Sequence, residues 1–179
     1  MLEYNESINR KETASMRMWH KDLIEVLPNK QLVSQWRECC CIAKNMAEKG
    51  GPNHILVNRL IEYDETSFLY YTNKVINEIE KRGFKVSKKS LDQFYKNLCR
   101  ASNNGVFRKI NPWYTLDEEC EDPCKNLYES WHNYRYLVQC FHNLQEKYDC
   151  GAIPEDQWSK VMARFDYLMI QEIKNGEVR

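Results

Sequence analysis

Between Asn29 and Met46 the apolar residues keep a helical period. Leu32, Trp36, Cys39, Ala43 and Met46 recur at alternating spacings of four and three, which lines them up on one face of an α-helix. Pro28 and Asn29 break the segment before it, and Asn29 is the expected N-cap. Gly50-Gly51-Pro52 stops the helix. Nowhere does an alternating strand pattern of any length appear, so the expected fold class is all-α.

The same reading extends along the chain. Asn53 is placed to cap a short second helix with Ile55, Leu56, Leu60 and Ile61 inside. Asp64 opens a third, with Phe68, Thr72, Val75, Ile76 and Ile79 buried, and Gly83 ends it after Lys81 and Arg82. Ser87 or Ser90 starts a fourth, with Leu91, Phe94, Tyr95 and Leu98, before the Asn103-Asn104-Gly105 turn. Residues 106 to 122 read as a loop, and Asp122-Pro123 as a cap with Pro at the first helical position. The helix after it carries Leu127, Trp131, Tyr134, Val138 and Phe141 and ends at Cys150-Gly151. Pro154 begins a last helix with Trp158, Met162, Phe165 and Met169 on one face, and these two helices form an αα-hairpin. Trp113 and Tyr114 either stack on a base or plug the foot of that hairpin.

A net charge of zero hides an asymmetry. Residues 16 to 112 hold 17 Lys and Arg against 10 Asp and Glu, residues 113 to 179 hold 7 against 13, and residues 1 to 15 hold 2 against 3. The expected organisation follows those boundaries: a polar extension over 1–15, a basic helical domain over 16–112 and an acidic helical hairpin over 113–179 packed on it. A basic body suits phosphate binding. The acidic hairpin suits a solvating cap, a surface for a protein partner or an internal competitor for the basic face.

Several classes drop out. No run approaches 18 apolar residues, so no membrane span is expected. The polar start lacks the apolar core of a secretory signal. With no such signal, the eight cysteines are expected as reduced thiols in a cytoplasmic protein. Cys120-x3-Cys124 with His132, Cys140, His142 and Cys150 lacks the tight spacing of structural zinc, so no metal is expected.

On the first helix Gln31, Ser34, Glu38 and Asn45 form a mostly polar strip beside the buried stripe. Glu38 therefore stands at the edge of the core, where incomplete hydration shifts a carboxylate and makes its charge usable. The plainer reading is a solvated helix residue near Arg37 and Lys44.

The string Gln31-Leu32, then Gln35-Trp36-Arg37-Glu38, with Met16-Arg17 upstream, resembles the pyrimidine dimer DNA glycosylases of the phage endonuclease V type, and more closely their short bacterial relatives that open MRLWH. Asn53-His54, Val57-Asn58 and Lys81-Arg82-Gly83-Phe84 continue the likeness, which covers roughly residues 16 to 100. It implies a compact helical domain that flips a nucleotide from duplex DNA bearing a damaged pyrimidine or an abasic site. An amine attacks C1′ of the sugar, a Schiff base forms and the strand is nicked by β-elimination, with no cofactor. An α-amine suits this because its pKa of about 8 leaves a useful neutral fraction. By the motif, Glu38 is the assisting carboxylate, Arg37 contacts phosphate or sugar, Arg17 stands beside the nucleophile in an arm that binds DNA with Lys21, and His54 lies near the path of the flipped base. The amine falls on Met16, provided it is free. Fifteen residues precede Met16, so it offers an amide unless the chain starts or is cut there, and Lys21 is the substitute amine. Cys41 stands where the family carries a basic residue. The competing readings are a non-catalytic descendant that binds nucleic acid or protein, and a zinc-stabilised interaction module.

Overall fold

The computed structural model describes residues 17–108 and 127–176. Met16, the extension before it, Trp113, Tyr114, Cys120 and Cys124 lie outside the described residues. Among those described there are five α-helices and no strand: α1 Asn29–Lys49, α2 Glu65–Lys81, α3 Lys88–Asn103, α4 Tyr134–Asp149 and α5 Glu155–Asn175. None of these helices is long and apolar enough to cross a membrane.

The apolar stripe of α1 is buried as its spacing predicts. Leu32, Cys39, Ala43 and Met46 are fully enclosed, and Trp36 nearly so. This face packs on α3 and α2. Trp36 meets Phe94 of α3, and Phe94 meets Phe68 of α2, at centroid separations of 5.5 and 5.8 Å. The expected stripe of α2 is buried throughout. The caps of α2 and α3 are those the sequence marks. Asp64 Oδ1 accepts from Ser67 N–H at 2.7 Å, and Ser87 Oγ accepts from Ser90 N–H at 3.1 Å. Each satisfies a backbone donor that the first helical turn leaves open.

Four local expectations are corrected. Asn29 is the first residue of α1 and Pro28 its N-cap; the Asn29 side chain instead accepts from Arg82 Nη1 at 3.0 Å. The short second helix shrinks to a 3-10 turn, Asn58–Glu62, in which Leu60 is buried while Ile55, Leu56 and Ile61 are exposed. The fourth described α-helix begins at Tyr134 under an Asn133 cap, so Leu127 and Trp131 reach the core from a turn. In α5 the buried face runs through Trp158 and Val161, and Met162 is exposed.

The αα-hairpin is present as α4 and α5. Phe141 stacks on Phe165 at 3.9 Å and on Trp158 at 5.3 Å, and Trp158 stacks on Tyr148 at 5.0 Å. The hairpin reaches back to the segment before α1. Gln157 Oε1 accepts from Asn29 N–H at 2.8 Å, and Arg164 Nε donates to Asp22 C=O at 3.1 Å. Cys39 and Cys140 are buried thiols, whereas Cys41, Cys99 and Cys150 are exposed.

Candidate active site

Residues 17–20 have no ladder of their own, so their backbone groups must find side chains. Arg17 N–H donates to Glu38 Oε2 at 2.9 Å and Trp19 N–H to Gln35 Oε1 at 2.9 Å, both acceptors on α1. Met18 C=O accepts from Tyr136 Oη of α4 at 2.5 Å, and Trp19 C=O accepts from Tyr71 Oη of α2 at 2.8 Å. Met18 and Trp19 are themselves buried. Three helices thus hold the arm in one place, and the arm ends against Glu38.

His20 is buried rather than exposed as an arm residue would be. Its Nε2–H donates to His132 C=O at 2.7 Å, and its Nδ1 accepts from Asp22 N–H at 3.3 Å. Its ring stacks on that of His132 at 5.2 Å. Burial pushes the His20 pKa down to about 4 and that of His132 well below its usual value. Both rings are therefore neutral near pH 7 and serve as hydrogen-bonded packing.

Glu38 opens into a recess of about 390 Å³ lined by Arg17, Trp19, Lys30, Gln31, Ser34, Asn143 and Lys147. Burial pushes its carboxyl up to about 7, against the pull of the Arg17 N–H and guanidinium, the Ser34 hydroxyl and Lys147. Desolvation outweighs three cationic or hydrogen-bonding partners here. A carboxyl that is about half ionised at neutral pH accepts and returns a proton with little cost either way. The Arg17 guanidinium lies 5.5 Å from the centroid of the Trp19 ring, a cation–π placement that favours one orientation of the cation at the recess.

Of the residues singled out by the sequence, Arg17 and Glu38 come together. Arg37 is exposed on α1 beside Glu38 and does not line the recess. Lys21 lines a different recess, with His20, Asp22 and His132. His54 sits in the turn after α1, where its Nδ1 accepts from Leu56 N–H at 3.3 Å. The sequence reading missed Lys30, Trp19, Asn143 and Lys147. The last two lie four residues apart on α4, a spacing that places them on one helix face; which helix that face meets is a tertiary fact.

The family model described as pyrimidine dimer DNA glycosylase matches residues 16–92. No curated protein and no solved structure matches the chain. The matched segment contains the arm, Glu38 and the His54 turn, and it stops short of α4. That match takes in the arm and the Trp36-Arg37-Glu38 helix, so over residues 16–92 the chain is similar to the pyrimidine dimer DNA glycosylase family.

Proposed function

We propose that this chain is a DNA glycosylase and abasic-site lyase acting on damaged pyrimidines or abasic sites in duplex DNA, with a main-chain amine at Met16 as nucleophile and Glu38 as its acid–base partner. The observation that carries the reading is the 2.9 Å hydrogen bond from Arg17 N–H to Glu38. Two backbone bonds and the peptide link separate the nitrogens of residues 16 and 17, so the two atoms stay within about 4 Å of each other in any conformation. A free amine at Met16 is thereby tethered close to a half-buried carboxyl.

In this scheme the neutral amine attacks C1′, the bond from C1′ to the base breaks, and the base leaves with a proton. Glu38, as carboxylate, steadies the positive charge that builds on the sugar; as the acid, it returns a proton when the ring opens. Loss of a 2′ proton from the iminium then expels the 3′ phosphate. Arg17, Lys30 and Lys147 supply positive charge around the recess for the flanking phosphates. Arg37, exposed on the same helix, extends that charge along the DNA.

The test is cleavage of two duplexes, one with a thymine dimer and one with an abasic site, by the full chain and by a chain starting at Met16. The reading expects nicking of at least one duplex by the chain whose Met16 amine is free, and loss of about a hundredfold or more in Glu38→Gln. A second reading, a DNA-binding protein without chemistry, is favoured by the amide that Met16 carries when residues 1–15 are attached. Tight binding of both duplexes with no cleavage by either chain is its signature.

A further inference from the structure

Between α1 and α2 the chain carries apolar side chains in solvent. Ile55 is 83 % exposed, and Leu56 and Ile61 are exposed beside it in sequence. Single exposed apolar residues are ordinary. Three within seven residues, on a turn that is held firmly, are not.

The turn is fastened from inside and from α1. His54 N–H donates to Asn58 Oδ1 at 3.0 Å and Leu56 N–H to His54 Nδ1 at 3.3 Å. Val57 N–H donates to His54 C=O at 3.0 Å, and Val57 and Leu60 are buried beneath. Asn53 adopts a φ of 59°, a left-handed conformation that Asn tolerates better than most residues. Asn45 Nδ2 donates to Pro52 C=O at 3.0 Å, which ties the start of the turn to the last part of α1.

That tie sets the start of the turn, at Pro52, beside Asn45. Asn45 follows Glu38 by seven residues, nearly two full turns, so the two share a face of α1 about 10 Å apart along its axis. Ten ångströms is about three base-pair rises. Lys44 and Lys49 are exposed on the same end of α1, and cations there suit a polyanion over an apolar protein partner.

We infer that Ile55, with Leu56 beside it, is an apolar wedge that enters the base stack of a duplex lying across the Glu38 recess and holds open a step near the extruded nucleotide. The inference rests on the DNA-binding part of the function proposed above and not on its covalent chemistry. Apolar wedges of this kind unstack one base step and kink the duplex.

The test uses the full chain and a duplex holding a tetrahydrofuran abasic analogue, with 2-aminopurine placed up to three positions to either side. Fluorescence of the 2-aminopurine rises on binding at one position or more. Ile55→Ser loses most of that rise and binds the duplex about tenfold more weakly, with single-stranded binding unchanged. Ile55→Leu keeps the rise, which separates a wedge from a folding defect. Glu38→Gln keeps it too, because the tetrahydrofuran site cannot form a Schiff base and the rise reports the duplex alone; no cleavage of a true abasic-site duplex by the chain starting at Met16, with this rise intact, would count against the chemistry and leave the wedge standing. No rise at any position, an equal rise in Ile55→Ser, or an equal loss of single- and double-stranded binding would overturn the inference.

Discussion

Replacing Glu38 by Gln should stabilise the protein in a pH-dependent way. In the folded state the carboxyl titrates at about 7 against 4.5 for an unburied glutamate. Below the lower value both states carry the proton and Glu38 costs nothing by this route. Between the two values the folded state binds the proton more tightly than the unfolded state, so stability falls as pH rises. Above about 7 the full penalty applies. At 1.36 kcal/mol per unit the shift amounts to about 3 kcal/mol, and solvent reaching the partly open recess trims this to about 2. Gln keeps an oxygen for the Arg17 N–H and removes the charge. Urea unfolding of the parent and of Glu38→Gln, at pH 5 and at pH 8, reads the difference. The variant should gain about 2 kcal/mol relative to the parent on going from pH 5 to pH 8, or about 4–8 °C in melting temperature for a chain of this size. A variant whose advantage is the same at both pH values, or which is less stable than the parent at pH 8, would refute the burial argument.

Other consequences are equally direct. Arg82 donates to Glu78 Oε1 at 2.7 Å, Asn29 Oδ1 at 3.0 Å, Glu25 C=O at 2.8 Å and Leu27 C=O at 2.5 Å. Arg82→Ala removes all four bonds and leaves buried Glu78 with the exposed Lys81 ammonium at 3.6 Å as its ion-pair partner, and should cost about 3 kcal/mol in chemical unfolding. Lys147→Ala removes a charge from the recess without touching the core; DNA binding should weaken, and the slope of log affinity against log salt should shrink by about one, as a salt titration of binding will read. Tyr136→Phe deletes the hydroxyl that holds Met18 C=O. It should cost about 1 kcal/mol and lower the proposed lyase activity more than it lowers DNA affinity, since the arm is loosened while Lys30 and Lys147, two of the three recess cations, lie on helices.

Much of the fold was legible because its determinants are local. The four-and-three spacing in α1, the Asp64 and Ser87 caps and the Gly50 and Gly83 stops all act within one or two turns. Errors arose where tertiary bonding outbid a local signal. Asn29 carries a capping side chain, yet Arg82, the C-cap residue of α2, claims it. Leu127 and Trp131 keep helical spacing but are buried from a turn ahead of α4. No local period marks His20 as buried, because its place against His132 depends on residues 112 positions apart. The site divides in the same way. Glu38 and the polar strip around it follow from the period of α1, and Arg17 follows from the resemblance. Lys147 and Asn143 come from a helix whose place over the recess no spacing encodes.

The central claim is that a nitrogen at Met16 forms a Schiff base beside Glu38. Borohydride trapping on an abasic-site duplex, followed by peptide mapping of the adduct, tests it most directly when applied to the full chain, to a chain starting at Met16 and to that shorter chain with Glu38→Gln. The account predicts an adduct on the Met16 amine of the shorter chain, none on a full chain that retains residues 1–15, and a much weaker adduct without the carboxyl. An adduct on Lys21, Lys30 or Lys147, or none with either chain while DNA is still bound, would contradict it.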